Sequence, residues 1–264
     1  MEKSYQSVNK ALWEARTPYH IKSEFYDVPG FLAGEDSLKS IEKSLLGDLK
    51  GQEVLHLQCH FGQDSLSMAR MGAKVTGVDF SEKAINTARS LNLQLGLDAK
   101  FICSDVLDLK RHLDQEYDLV FTSYGVIGWL PDLRPWGQLI ADSLKPGGRF
   151  VMAEFHPVVW MFGESLEQVQ YSYFNRGPIE EIEEHTYADQ QAPLSMASCT
   201  WNHSLSKVIE VLLEAGLQLS VIREYDYSPY DIFGEGVPVD GGYQVKGKEG
   251  LFPLVYALEA IKNV

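Results

Sequence analysis

Cysteine is scarce in this chain of 264 residues: there are three, Cys59, Cys103 and Cys199, an odd number with no pairing framework. Such usage suits a reducing compartment and thiols that pack instead of pairing. Positive charge is also in short supply, with 23 Lys and Arg against 37 Asp and Glu and a net charge of −14. No basic stripe is present to draw affinity from phosphate backbones, which weighs against a nucleic-acid partner. Long apolar runs are missing as well. "YDLVFTSYGVIGWL" at 117–130 is broken by Asp118, glycines and hydroxyls, well short of the roughly 18 apolar residues of a membrane span. Met1 leads into "EKSYQSVNK", not an apolar signal core. Nothing directs the chain to or through a membrane, and a cytoplasmic protein is expected. Repeats and low-complexity segments are lacking, and oligomeric state leaves no trace.

What is present is 45% hydrophobic residues, enough to bury a sizeable core. From residue 53 the pattern alternates between β-rich apolar runs and helix-period segments: "EVLHLQ", then 62–71, "KVTGVD", then 81–94, "AKFICS" and "YDLVFT". Near-continuous apolar strands alternating with helices imply parallel pairing with right-handed crossovers. Ser81 is placed to cap a helix whose Ala84, Ile85, Ala88, Leu91 and Leu95 form one apolar stripe. "LRPWGQLIADSL" and "LKPGGRFVMAEF" add a helix, a glycine turn and a fifth strand. Beyond Phe155 the rhythm changes: "VQYSYF", "IEEIEEHTYA" and "LSMASCTW" read as antiparallel stretches. The helix "SLSKVIEVLLEAGL" and the strands "QLSVIREY" and "LFPLVYALEAI" then resume the earlier pattern, Pro253 fitting a strand start. The expected organisation is one domain over 1–264: a cap over 1–46 with a helix at 37–46, a cofactor-binding half over 47–156, an inserted lid over 157–202, and a closing helix and strands over 203–264.

In doubly wound sheets ligands sit outside the carboxyl ends of the strands. After the first strand, a tight turn into a helix offers free backbone N–H groups to an anionic or carboxylate group. Asp79 ends the second strand about 20 residues after that turn, the spacing at which a carboxylate accepts the hydroxyls of a ribose. Asp105 ends the third strand, within reach of an adenine. An adenosyl ligand thus finds three contacts.

At this point the chain resembles the class I S-adenosylmethionine-dependent methyltransferases, through "VLHLQCHFGQDSLSMAR", "VTGVDFSEKAI", "SDVLDL", "YDLVFTSYGVIGWLPDL" and "LKPGGRFVMAEFHP" in that order. The resemblance covers roughly 53 to 157. It implies a doubly wound, Rossmann-like α/β fold with a seven-stranded sheet and an antiparallel last strand, S-adenosylmethionine as cofactor, and methyl transfer to a small molecule by direct displacement. It also implies cofactor contacts at Gln58, His60, Gly62, Asp79, Phe80, Asp105 and Val106. The first motif departs from the family: His56 stands where an acidic residue is usual, and Gln58 and His60 where glycines are usual. The rival readings are a nicotinamide-dependent oxidoreductase and a nucleoside-binding regulatory module without catalysis. Gln58 and His60 would crowd a pyrophosphate, whereas a sulfonium nucleoside carries no phosphate.

Displacement at a methyl group needs an aligned nucleophile and sometimes a base. His156, after the fifth strand, Tyr124, after the fourth, and His203 are the candidates, each with a plain packing role as its alternative. His56, Cys59 and His60 do not supply the ligand set of a structural zinc, and no metal is expected. Trp13, Arg16, Tyr19 and His20 either close over the site or pack the cap on the core. The run Glu180, Glu181, Glu183 and Glu184 reads as a solvated strand face.

Overall fold

The structure, a computed structural model, describes residues 4–163 and 166–263. It opens with helices α1 (Tyr5–His20), α2 (Val28–Ala33) and α3 (Ser40–Leu46). Next come β1 (Glu53–Leu57), α4 (Gln63–Arg70), β2 (Lys74–Asp79), α5 (Glu82–Leu95) and β3 (Lys100–Cys103), followed by a 3-10 helix, Val106–His112. Then follow β4 (Tyr117–Ser123), α6 (Arg134–Ser143), β5 (Leu144–Phe155), β6 (Ile179–Glu183) and β7 (Met196–Thr200). The chain closes with α7 (Leu205–Glu214), β8 (Leu217–Tyr225), β9 (Gly236–Val239), β10 (Gly242–Val245) and β11 (Val255–Lys262). Seven strands run in the order β3-β2-β1-β4-β5-β11-β8, with β11 antiparallel to both β5 and β8, so the expected doubly wound sheet with its antiparallel last strand is present. No helix among the described residues is long and apolar enough to cross a membrane.

The chain divides into two compact units. The first takes the residues up to 38 together with 48–115 and 178–200; the second takes 39–47, 116–177 and 201 onward. In the first unit β1 pairs in parallel with β2, and β2 with β3. The stripe expected in α5 is buried at Ala84, Ile85, Ala88 and Leu91, and Ser81 caps the helix by accepting from Ala84 N–H at 3.1 Å. Close packing concentrates around Phe101: a Cβ on Gly62 would stand 2.7 Å from its ring and one on Gly77 2.8 Å. Gly62 also holds φ 81°, which an L side chain resists. Gly62→Ala is therefore expected to cost about 2 kcal/mol or more of stability through overpacking and backbone strain together. A urea-unfolding midpoint unchanged from the parent would contradict that packing.

In the second unit β4 pairs in parallel with β5, and the antiparallel β5-β11-β8 ladder carries the fully buried Phe150, Val151, Met152, Val255, Tyr256 and Leu258. Arg149 caps α3 by donating to the Leu45 carbonyl at 2.7 Å and to the Leu46 carbonyl, and pairs with Glu259 at 3.1 Å.

Three departures from the sequence reading have physical causes. Helix α1 went unseen because its buried face is Asn9, Leu12, Arg16, Thr17 and His20, helical in spacing but mostly polar. The stretch expected as one insertion is divided between the units, because α1 recruits part of it: Asn9 donates to the Cys199 carbonyl at 2.7 Å and accepts from Cys199 N–H at 2.9 Å, pairing with β7 as a strand edge would. Among the described residues β6 and β7 are the paired strands there, and "VQYSYF" contributes an isolated bridge, Phe162 to Val169. Finally, β9 and β10 form a hairpin across Asp240 and Gly241, the latter at φ 88°, where a loop was expected. The Asp-Gly pair that favours such a turn is present in the sequence.

Candidate functional site

At the tip of β1 the backbone passes through left-handed conformations at Gln58 (φ 54°), His60 (φ 50°) and Gly62 (φ 81°). Cys59 N–H donates to the Val78 carbonyl at 2.8 Å and Gly62 N–H to the Cys59 carbonyl at 2.9 Å, which fixes the turn. The path is one that glycines follow freely, kept here at two residues that resist it. Strain of roughly 1 kcal/mol or more at each such residue is characteristic of functional loops. No side chain caps the helix α4 that follows. His56, on β1, is buried and lies 2.8 Å from Ser65 Oγ through Nδ1. Burial takes its imidazole down to about 3, leaving a neutral packing residue in place of the family's acid.

Asp79 ends β2, 8% exposed. Its Oδ2 accepts from His60 N–H at 2.9 Å and its Oδ1 from Ser81 N–H at 2.9 Å. Burial raises the carboxyl to about 6, against the pull of those backbone donors. Phe80 N–H is a third backbone donor to it, and with about two lone-pair sites on each oxygen the carboxylate retains some acceptor capacity. Beside Asp79 a cavity of about 530 Å³ is lined by Ser7, Lys10, Phe80, Cys103, Ser104 and Asp105, among others. Asp105 caps the following 3-10 helix through Leu107 N–H at 2.9 Å and accepts from Gln6 at 3.4 Å. Val106 is buried at the start of that helix. Of the residues expected to hold cofactor, Phe80 and Asp105 share the cavity, while Gln58, His60 and Gly62 build the turn.

Helix α1 closes over this turn within the first unit. Arg16, 4% exposed, pairs with Glu183 at 2.9 Å and lies 5.5 Å from the Trp13 ring centre, so Glu183 is not part of a purely solvated strand face. His20 Nδ1 is 2.9 Å from His60 Nε2, and His20 Nε2 is 2.6 Å from Thr186 Oγ1. Thr186 Oγ1 already accepts from Ala188 N–H at 3.0 Å. Thr186 Oγ1 has both a proton and a second lone pair to offer, so the His20–His60 bond fits either direction, and the far ring nitrogen of His60 is Nδ1. That atom and Arg16 Nε are buried without a hydrogen-bond partner. Tyr26 and Tyr187 join hydroxyls at 2.5 Å, and both rings stand about 5 Å from His20. Burial lowers His20 to about 3 and takes His60 well below the usual imidazole range. Two buried nitrogens without a hydrogen-bond partner, a buried carboxylate at a strand end and an adjoining cavity fit the chemistry of an adenosyl amino acid. Among the described residues no group of His, Cys, Asp and Glu has the makings of a metal site.

The remaining candidates lie in the second unit. His156 accepts from Val158 N–H at 3.2 Å through Nδ1 and places Nε2 3.0 Å from Glu224. His203 places Nε2 2.7 Å from the Leu130 carbonyl. Both are buried, His156 facing Glu224 on β8 and His203 the Leu130 carbonyl in the loop after β4. Tyr124 differs. It follows β4 at φ 34°, its ring meets those of Phe155 and Tyr230 at 5.4 and 5.3 Å, and its hydroxyl donates to Glu42 Oε2 at 2.7 Å. Glu154, 1% exposed at the end of β5, accepts from Gly125, from Val126 at 2.9 Å and from Phe155 at 2.7 Å. Neither glutamate was singled out in the sequence. For Glu154 a signal existed, a lone charge in the apolar run "FVMAEF"; for Glu42, on α3, none did.

Residues 54–148 match the family described as a methyltransferase domain. Among curated relatives, a ubiquinone biosynthesis O-methyltransferase from Bordetella avium is 28% identical over 190 residues, covering 71% of this chain and 70% of that protein. One of the same name from Coxiella burnetii is 35% identical over 112 residues, covering 42% and 46%. A solved S-adenosylmethionine-dependent methyltransferase from Mesorhizobium loti shares the fold at TM-score 0.61 and 18% identity, over 88% of this chain and all of that one. Neither rival reading, nicotinamide-dependent oxidation or a non-catalytic nucleoside module, gains support from these similarities. The strand-tip geometry, the match of residues 54–148 to a methyltransferase domain and the shared fold agree, and the chain is similar to the class I S-adenosylmethionine-dependent methyltransferases.

Proposed function

We propose that this methyltransferase acts on a hydroxyl group of a small aromatic molecule. The observation that carries the cofactor half is Asp79: a buried carboxylate held by His60 and Ser81 N–H groups, with spare acceptor capacity, beside the Phe80 and Asp105 cavity. In this reading Asp79 accepts the ribose hydroxyls and the cavity takes the adenine. Arg16 and the turn through Gly62 face the methionine carboxylate. Bound there, S-adenosylmethionine supplies an electrophilic methyl carbon. Trp13, Tyr26 and Tyr187 pack against the His20–His60 pair and exclude water from it.

The acceptor class rests on the second unit, where Tyr124, Phe155, Trp160 and Tyr230 gather rings at the ends of β4 and β5. Aromatic rings of this kind hold planar ligands by edge and face contacts. The names of the relatives, O-methyltransferases of ubiquinone biosynthesis, agree with a hydroxyl acceptor. The acidic chain, at −14, disfavours polyanionic acceptors. Incubation with S-adenosylmethionine and a panel of phenols, catechols, aromatic amines and aliphatic alcohols, read by mass spectrometry, tests the assignment. A mass gain of one methyl group confined to the hydroxylated aromatics is expected. Methylation of amines or aliphatic alcohols alone would overturn the acceptor class and leave the cofactor assignment standing.

A further inference from the structure

We infer that Arg16 on α1 and Glu183 on β6 clamp the amino-acid end of the cofactor as an ion pair, Arg16 taking its carboxylate and Glu183 its ammonium, so that Glu183 supplies the acid that the first motif lacks at His56. The inference rests on the cofactor assignment above, and every residue it uses lies in the first compact unit. It starts from charge. The methionine end of S-adenosylmethionine carries both a carboxylate and an ammonium, and a charge taken out of water is costly unless it meets a partner. His56, in the place of the family's acid, is a neutral imidazole engaged with Ser65 at 2.8 Å and brings no negative charge. Asp79 is assigned to the ribose. The partner for the ammonium has to come from elsewhere in the fold.

The geometry puts one beside the β1 turn. His20 on α1 reaches His60 of that turn at 2.9 Å and Thr186 at 2.6 Å, and His60 N–H donates to Asp79 at 2.9 Å. Arg16 precedes His20 by one helical turn and shares its face of α1. Thr186 lies in the loop between β6 and β7, and Glu183 ends β6 just before it. The helix and the hairpin that grip the turn through His20 and Thr186 therefore carry Arg16 and Glu183 next to that grip, with Glu183 Oε2 2.9 Å from Arg16 Nη2. The Arg16 side chain is 5% exposed and that of Glu183 28%, so the acid is the more open member of the pair.

Each member has binding capacity left. Arg16 spends one terminal nitrogen on Glu183 while its Nε is buried without a partner, and a guanidinium offers five N–H donors in a fork that fits a carboxylate. Glu183 meets Arg16 through Oε2, and a carboxylate has about two acceptor sites on each oxygen. An ammonium and a carboxylate attached to one carbon match this pair charge for charge. His60 Nδ1, also buried without a partner, is satisfied by the same ligand end in either tautomer, because the ammonium donates and the carboxylate accepts. Until the cofactor binds, Glu183 keeps the buried guanidinium neutralised. The β6–β7 hairpin, expected from the sequence to belong to a substrate lid, thereby takes part in holding the cofactor.

The test is calorimetric titration of the full chain with S-adenosylhomocysteine, its desamino analogue, and 5′-deoxy-5′-methylthioadenosine, which keeps ribose and adenine but has no amino-acid end. The wild type is expected to bind the desamino analogue about tenfold more weakly than S-adenosylhomocysteine, the share of one charge-assisted hydrogen bond. Glu183→Gln should weaken S-adenosylhomocysteine about tenfold yet bind the desamino analogue at least as well as the wild type does, because that carboxylate no longer shares Arg16 with an acid. Arg16→Gln should weaken both ligands together, since both keep the carboxylate. Unchanged affinity for methylthioadenosine shows that each variant is folded. If Glu183→Gln does not fold, the double variant Arg16→Gln, Glu183→Gln, which leaves no unpaired charge, takes its place and is expected to bind the two ligands equally. Equal wild-type affinities for S-adenosylhomocysteine and the desamino analogue, or a variant lacking Glu183 that discriminates between them as the wild type does, would overturn the clamp. A wild type that binds neither S-adenosylhomocysteine nor methylthioadenosine would instead remove the cofactor assignment on which the clamp stands.

Discussion

Replacing Asp79 by alanine is expected to weaken S-adenosylmethionine binding at least tenfold, and to abolish the pH dependence of that binding near pH 6. The magnitude follows from losing a charged acceptor for donor hydroxyls, worth about 1.5 to 3 kcal/mol, where each 1.4 kcal/mol is a factor of ten in affinity. The pH dependence follows from the raised carboxyl, at about 6 because burial disfavours the ionised form. Ribose hydroxyls donate, so they bind the carboxylate and not the acid. In the wild type, cofactor affinity should hold above pH 6 and fall as pH drops through that value. Asparagine is no neutral replacement: its amide would turn a donor toward either the His60 or the Ser81 N–H. Calorimetric titration of both variants with S-adenosylhomocysteine between pH 5 and 8 decides the matter. Wild-type affinity for Asp79→Ala across that range would remove Asp79 from the cofactor site.

Acid should unfold this protein early. His20, His56 and His60 are all neutral in the folded state, the first two lowered to about 3 and the third well below its usual range, each chiefly by burial. Burial lowers His156 and His203 in the same direction. An unfolded chain takes up protons at these residues from about pH 6.5 downward while the folded one does not. Their contribution is complete above pH 6.5 and is lost as pH falls toward 3. Each costs about 1.4 kcal/mol per pH unit below that point. Asp79 and Glu154 act the other way, because their raised carboxyls bind protons in the folded state first and so stabilise it as pH falls. Two such groups do not balance three to five histidines, so the net slope destabilises by at least one proton per molecule. The urea-unfolding midpoint is expected to drop steadily between pH 6.5 and 5. A midpoint that stayed level or rose over that interval would show that the buried histidines gain compensating partners on protonation. His56→Asn should flatten the slope by about one histidine's share, because Asn keeps a hydrogen-bonding partner for Ser65 Oγ without a titrating ring.

The two results bear on one question, which parts of the site were legible in the residues. The place of Asp79 at the end of β2 was legible from spacing, since a strand of fixed rise followed by a helix puts the end of β2 at a set distance from the β1 turn. The conformation of that turn was not. Glycine at Gly62 announced a left-handed residue, while Gln58 and His60 hid two more, and only the backbone reveals that the unusual residues kept the usual path. His156 looked suited to catalysis from its place after β5; its contacts with Val158 and Glu224 favour a structural role. Glu42 carried no signal because its meaning lies in Tyr124, 82 residues away.

What the sequence determined by itself is the order of strands and helices from β1 to β5, the parallel half of the sheet and the acid at the tip of β2. These follow from local periodicity and from the stereochemistry of crossover connections, which act over a few residues and need no partner. What only the tertiary structure decided is how α1 and the β6–β7 hairpin come to share one unit, and which buried groups meet: His20 with His60 and Thr186, Tyr124 with Glu42, Glu154 with the loop after β4. Polar groups removed from water must find partners wherever the folded chain offers them, and those partners are set by packing between distant segments instead of by spacing along the chain.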